Sequence, residues 1–187
     1  MSLRVITTGI PGVVVIEPEI HGDARGYFFE SWHAGKYSEM GLPAAFVQDN
    51  VSRSSRGTLR GLHLQEPNGQ GKLVQVLEGE VFDVAVDVRV GSPTFGRWEG
   101  FVLSAENKRQ AYVPPGLAHG FCVLSESALF TYKCTDFYRR DVEFGVAWND
   151  SDIGIAWPIA SPLLSAKDQA APRLADIPLA RLPKWSA

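Results

Sequence analysis

Four histidines occur in the chain, few enough to weigh singly as carriers of acid–base chemistry. His21 and His33 lie in polar or turn-like surroundings. His63 and His119 instead sit beside glycines in strand-like segments, Arg60-Gly61-Leu62-His63-Leu64-Gln65 and Pro114-Pro115-Gly116-Leu117-Ala118-His119-Gly120-Phe121. An imidazole changes charge near neutral pH and can take up or release a proton, so these two are the histidines to weigh for a functional role. A strand histidine is also an ordinary hydrogen-bonded structural residue, and residue type alone does not choose between the two.

The elements that must carry these groups are strands. Apolar residues recur at period two in short segments closed by Gly, Pro, Asn and Ser, and sustained helical periodicity is scarce. Val81 to Val88 is the clearest case: Phe82, Val84, Val86 and Val88 fall on one face, Val81, Asp83, Ala85 and Asp87 on the other. Leu73 to Leu77 precedes it, and Glu78-Gly79-Glu80 between them reads as a hairpin turn with glycine at positive φ. Two further strands, His119 to Leu124 and Ala128 to Tyr138, flank Ser125-Glu126-Ser127. Short helices are expected at Lys36 to Met40, ending at Gly41, and after Ser165. Pro172, Pro178 and Pro183 mark a wrapping arm from about residue 165. The reading is mainly β, a sandwich or barrel, with residues 1–187 as one domain because no linker or repeat divides them. Arg60 and His63 pose a difficulty, since a spacing of three aims them at opposite faces of a regular strand; a bulge at Gly61 would realign them.

Composition narrows the classes. A net charge of -3 argues against broad nucleic-acid binding, and no stretch approaches the roughly 18 to 20 apolar residues that span a bilayer. Met1-Ser2-Leu3-Arg4-Val5 lacks the series that marks a secretory signal, so the cytoplasm is expected, with Cys122 and Cys134 as buried free thiols rather than a disulfide.

A β-barrel carrying Pro114-x-Gly116-x-x-His119 is similar to the cupin superfamily, whose metal-binding members add a His-x-His pair and a glutamate. Here Leu64 and Gln65 follow His63, so the ligand set is incomplete; proton transfer without a metal is the expectation, and a metal-dependent cupin is the improbable rival. Further words appear in order: Asp23-x-Arg25-Gly26-Tyr27-Phe28-x-Glu30, Gln48-Asp49-Asn50, Arg60-Gly61-Leu62-His63, Gln70-Gly71-Lys72-Leu73-Val74, Gly91-Ser92-Pro93-Thr94, Ala118-His119-Gly120-Phe121, Tyr132-Lys133, Trp148-Asn149-Asp150 and Ser165-Ala166-Lys167-Asp168. Over nearly its whole length the chain resembles the dTDP-4-dehydrorhamnose 3,5-epimerases, cupin-like jelly-roll barrels that invert C3 and C5 of a dTDP-linked 4-keto-6-deoxyhexose.

That resemblance implies His63 as base with Asp168 as its carboxylate partner, Tyr132 as acid, and Lys72 beside the C4 oxygen. It implies Arg25, Arg60 and Lys167 as contacts for phosphate, sugar or base, with Glu30, Gln48, Asn50 and Glu143 as polar contacts. His119 would be a second donor or diphosphate contact, and Tyr138 or Phe28 would stack on the base. Family members are homodimers whose N-terminal segments cross, so Arg25 and Glu30 would serve the partner's site; no metal or redox cofactor is implied. Read without the family, Tyr132 alternates with Phe130 and Cys134 as a core tyrosine would, Lys72 resembles a solvated strand-start lysine, and Asp168 falls in a possible helix cap. Leu64 and Gly71 depart from the family's usual aromatic residue and alanine, leaving room for altered substrate preference. Two other functions stay open, a mono-epimerase acting on C3 or C5 alone and a non-catalytic sugar-nucleotide-binding barrel.

Overall fold

Period-two segments fold as strands throughout the computed structural model, which describes residues 3–186; Met1 and Ser2 of the stretch read for an export signal lie outside the described residues. A six-stranded antiparallel sheet has the order β1 (Leu3–Thr7), β2 (Val14–Pro18), β10 (Gln110–Val113), β7 (Lys72–Glu78), β12 (Ser127–Cys134) and β5 (Gln48–Ser55). A five-stranded antiparallel sheet runs β13 (Glu143–Gly145), β6 (Leu59–Gln65), β11 (Leu117–Val123), β8 (Glu80–Asp87) and β9 (Trp98–Ser104). A separate hairpin pairs β3 (His21–Asp23) with β4 (Gly26–Phe28).

The main core forms where the two sheets face each other. Val74 and Val76 of β7, Ala128 and Phe130 of β12 and Ala111 of β10 meet Val81, Leu103, Phe121 and Val123 of the opposing sheet. Fully burying a Val, Leu or Phe side chain stabilises a fold by about 1.5–3 kcal/mol, so this layer contributes heavily to holding the two sheets together. The outer face of the five-stranded sheet is also covered: Leu62, Leu64, Val84, Val86 and Val88 pack against Val146, Ile153, Leu174, Ile177 and Leu182. This explains β8, whose two expected faces are both buried. One faces the opposing sheet and the other lies under the C-terminal arm, which carries α2 (Ala166–Gln169) and two 3-10 turns, Leu174–Asp176 and Leu179–Arg181.

Three local expectations are corrected. Glu78-Gly79-Glu80 does not close a hairpin, because β7 and β8 belong to different sheets; Gly79 is the corner where the chain changes sheet. Its φ is 77°, and a Cβ there would stand 2.1 Å from the Ser127 carbonyl oxygen, so the neighbouring corner at Ser125-Glu126-Ser127 leaves no room for a side chain. The strand expected to reach Tyr138 stops at Cys134. There the Thr135 hydroxyl takes the Gly71 N–H and the Asp136 carboxylate takes the Phe137 N–H, groups that would otherwise continue a ladder. The first helix, α1, spans Ala34–Glu39 rather than starting at Lys36, because the His33 ring accepts the Lys36 N–H and caps it earlier. Cys122 and Cys134 are buried free thiols, as expected.

Candidate active site

Both sheets and the C-terminal segment contribute to a cavity of about 650 Å³. Strand register explains its lining. On the inner face of the six-stranded sheet, β12 lies between β5 and β7, pairing Tyr132 with Asn50 and Val74, and Cys134 with Gln48 and Lys72. Cross-strand partners point the same way, so Gln48, Asn50, Lys72, Phe130 and Tyr132 share one wall. The opposing sheet supplies Arg60 and His63 from β6 and His119 and Phe121 from β11. Leu163, Leu164, Ser165, Lys167 and Asp168 of the C-terminal arm, with Tyr138 and Glu143, close the rim.

Arg60 and His63 reach the same cavity through the bulge expected at Gly61. His63 pairs with His119 and Arg60 with Phe121, so Gly61 and Leu62 together stand opposite Gly120. The backbones approach so closely that a Cβ on Gly61 would lie 2.5 Å from the Gly120 Cα, and Gly61 has a φ of 139°. Only glycines allow this crossing.

His63 Nε2 lies 2.6 Å from Asp168 Oδ1, joining β6 to α2. Ser165 caps α2 by accepting the Asp168 N–H at 3.1 Å, so the cap reading and the carboxylate reading both hold: the cap fixes the backbone that aims the carboxylate. Burial opposes the Asp168 charge, but the hydrogen bond and charge of His63 outweigh it, with help from Ser165 and Lys167, and hold its carboxyl below the usual range. Asp168 is therefore ionised and accepts from Nε2, so that whenever the ring is neutral its lone pair falls on Nδ1, the atom a base would use.

A second pair lies deeper. His119 Nε2 is 2.9 Å and 3.0 Å from the two oxygens of Asp83, which is fully buried. Asp83 was legible only as a polar interruption in the strand Val81 to Val88. Tyr132 lines the cavity while packing against Phe130, with ring centroids 5.9 Å apart; it is both core tyrosine and site residue. Burial raises its phenol above the ordinary range, so it keeps its proton.

Lys72 is not a solvated strand-start residue. It lines the cavity, and burial lowers its ammonium pKa from the ordinary 10.5. The sign follows: loss of solvent disfavours the charged form, so the proton leaves at a lower pH than from free lysine. If the charge on Lys72 is needed for turnover, kcat/KM falls as pH rises through a value below 10.5, and Lys72→Arg moves that alkaline limb upward, because guanidinium stays protonated. A pH–rate profile of both proteins reads this directly.

At the rim, Glu143 accepts from Tyr138 Oη at 2.9 Å and pairs with Lys167. Burial opposes its charge, but these donors and the His63 charge hold its carboxyl low. Arg60 Nε donates to Ser54 Oγ at 3.0 Å. Three expected residues stand elsewhere in this chain. Arg25 and Phe28 are exposed on the β3–β4 hairpin, Arg25 paired with Asp23, and Glu30 pairs with Lys36 at the start of α1. Of the departures, Leu64 packs in the core beneath the C-terminal arm rather than in the cavity. A Cβ on Gly71 would lie 2.6 Å from Tyr112 Oη. Ser52, Thr58, Leu59 and Gln70 line the cavity without having been given a role, since uncharged polar and apolar residues carry no chemical signature by themselves. Among the described residues, no group of three or more His, Cys, Asp and Glu is placed to hold a metal ion, and no helix is long and apolar enough to cross a membrane.

Fold and cavity together define a class: a cupin-like β-barrel enzyme with acid–base groups on facing walls. The comparisons narrow it. The model of the dTDP-4-dehydrorhamnose 3,5-epimerase family matches residues 7–176. A dTDP-4-dehydrorhamnose 3,5-epimerase of Salmonella typhimurium is 56% identical over 173 residues, covering 91% of this chain and 94% of that one. The crystal structure of a dTDP-6-deoxy-D-glucose-3,5-epimerase from Legionella pneumophila in complex with dTDP-4-keto-L-rhamnose superposes with a TM-score of 0.97 at 53% identity, covering 100% of both chains. A dTDP-4-dehydrorhamnose 3-epimerase of Streptomyces niveus is 43% identical over 176 residues, 93% of this chain and 85% of that one. The chain belongs to the dTDP-4-dehydrorhamnose 3,5-epimerase family.

Proposed function

We propose that this enzyme inverts C3 and C5 of dTDP-4-dehydro-6-deoxy-D-glucose to give dTDP-4-dehydro-L-rhamnose. The observation that carries the reading is the His63–Asp168 pair on one wall of the cavity with Tyr132 on the other. Both carbons adjoin the C4 carbonyl, which acidifies their protons, yet such carbon acids remain weak. His63 Nδ1 removes the proton, Lys72 stabilises the charge that moves to the C4 oxygen, and Tyr132 returns a proton to the opposite face. The ring carbon ends inverted, His63 protonated and Tyr132 deprotonated, and exchange with solvent resets both. No step calls for a metal or redox cofactor.

Arg60, Lys167 and His119 serve the diphosphate and sugar, where guanidinium and ammonium groups suit anionic oxygens. Gln48, Asn50, Glu143 and Tyr138 serve the nucleoside. Arg25 and Phe28, exposed, and the half-buried Glu30 do not line this chain's own cavity and complete the site of a second copy in a homodimer; full activity in a dilute monomer would remove that exchange. Residues 1–187 act as one unit, in the cytoplasm.

The test is NMR of the substrate incubated with the protein in D₂O. Deuterium at both C3 and C5, with the L-rhamno product, is expected. Deuterium at one carbon would favour a mono-epimerase, the reaction named for the Streptomyces niveus relative, and none at either would overturn the reading for this sugar.

A further inference from the structure

Near Tyr138 the cavity wall contains a chain of hydrogen bonds that proton transfer does not use. The backbone N–H of Tyr138 donates to Gln48 Oε1 at 2.8 Å, Gln48 Nε2 donates to Asn50 Oδ1 at 3.0 Å, and Asn50 Nδ2 donates to Cys134 Sγ at 3.6 Å. A carboxamide can be turned end for end, and only its partners choose the orientation. Here the first donor is a backbone N–H, which cannot be reversed. Both carboxamides therefore point the same way, and the last donor ends on a sulfur.

We propose that Cys134 is a positioning residue: as terminal acceptor of this relay, its sulfur holds Asn50 and Gln48 in the orientation that receives the nucleoside end of the substrate. The inference rests on the reading of a dTDP-sugar as ligand. Cys134 is fully buried and does not line the cavity. It sits opposite Gln48 on one neighbouring strand and Lys72 on the other, beneath the groups that face the ligand. Burial raises its thiol above the ordinary range, so it is a neutral, weakly accepting group rather than a nucleophile. With the relay intact, each carboxamide keeps one N–H and spare oxygen lone pairs for a ligand. Beside the Tyr138 ring, such groups suit an uncharged planar base bearing both donors and acceptors. They offer no charge to a diphosphate.

The experiment is calorimetric titration of dTDP and of inorganic pyrophosphate into the parent protein, Cys134→Ala, Cys134→Val and Cys134→Ser, with thermal unfolding of each. Removing the acceptor orphans the Asn50 N–H, so alanine and valine are expected to weaken dTDP about three- to tenfold, the worth of one hydrogen bond. Pyrophosphate, which lacks the base, moves by less than about twofold. Serine restores an acceptor and brings dTDP back toward the parent value. Valine leaves no cavity, adding a methyl where alanine removes the sulfur, so agreement between valine and alanine separates the lost acceptor from a change of volume. Unchanged dTDP binding in the alanine variant, equal weakening of pyrophosphate, or serine as weak as alanine would each overturn the relay. Failure of the parent protein itself to bind dTDP would overturn the nucleotide reading, and the relay with it.

Discussion

Replacing His63 with alanine is expected to lower kcat by about 10²–10⁴, the typical contribution of a positioned general base, while KM changes little. Deuterium uptake at C3 and C5 falls in step, because no other group beside the substrate is poised in the same way: Nε2 is committed to Asp168 at 2.6 Å, which leaves Nδ1 free. The other cavity histidine, His119, spends its Nε2 on the buried Asp83 and stands deeper in the barrel. Asp168→Asn should reproduce much of the loss with the fold intact, since an amide neither fixes the tautomer nor stabilises the imidazolium. Because Asp168 is held ionised, any stability it draws from His63 is present at neutral pH and is lost as pH falls through its lowered pKa. The variants are therefore best compared near neutrality. If His63→Ala retained exchange at both carbons, the base would have to be another residue.

The sequence reached the chemistry more surely than the layout. Short apolar segments closed by turn residues located β7, β8, β11 and β12, because a strand must carry apolar residues at period two on any face it buries. They could not say that β7 and β8 lie in different sheets, since a glycine at positive φ serves a hairpin and a corner equally well. The end of β12 was missed for a related reason: Phe137 and Tyr138 continue an apolar pattern, and only the side-chain bonds of Thr135 and Asp136 break it. The Gly61 bulge was recoverable because two candidate site residues, Arg60 and His63, stand at a spacing that a regular strand would split between its faces. Asp83 was hidden by its own strand, where it alternates with Asp87 on a face otherwise apolar and has no evident partner until His119 is seen beside it. Arg25, Phe28 and Glu30 show the reverse case. Motif order flagged them, yet Arg25 and Phe28 stand on an exposed hairpin and Glu30 is paired with Lys36, so their role is left to the test of oligomeric state.

Tyr132→Phe is expected to separate two events that normally occur together. Phenylalanine keeps the ring packed against Phe130 but removes the proton needed on the face away from His63. Inversion should fall by about 10²–10⁴, the range for loss of a general acid, while His63 still removes a proton and can return one only to the face it came from. In D₂O the variant should therefore take up deuterium at C3 and C5 of unepimerised substrate, with little L-rhamno product. The parent protein instead carries deuterium into the product. Burial keeps the parent's phenol protonated across neutral pH, so the contrast should hold over that range and not depend on Tyr132 ionisation. Loss of exchange and inversion in equal measure would place Tyr132 among the groups that position substrate, and the acid would then have to be sought elsewhere on the wall that also holds Lys72 and Asn50.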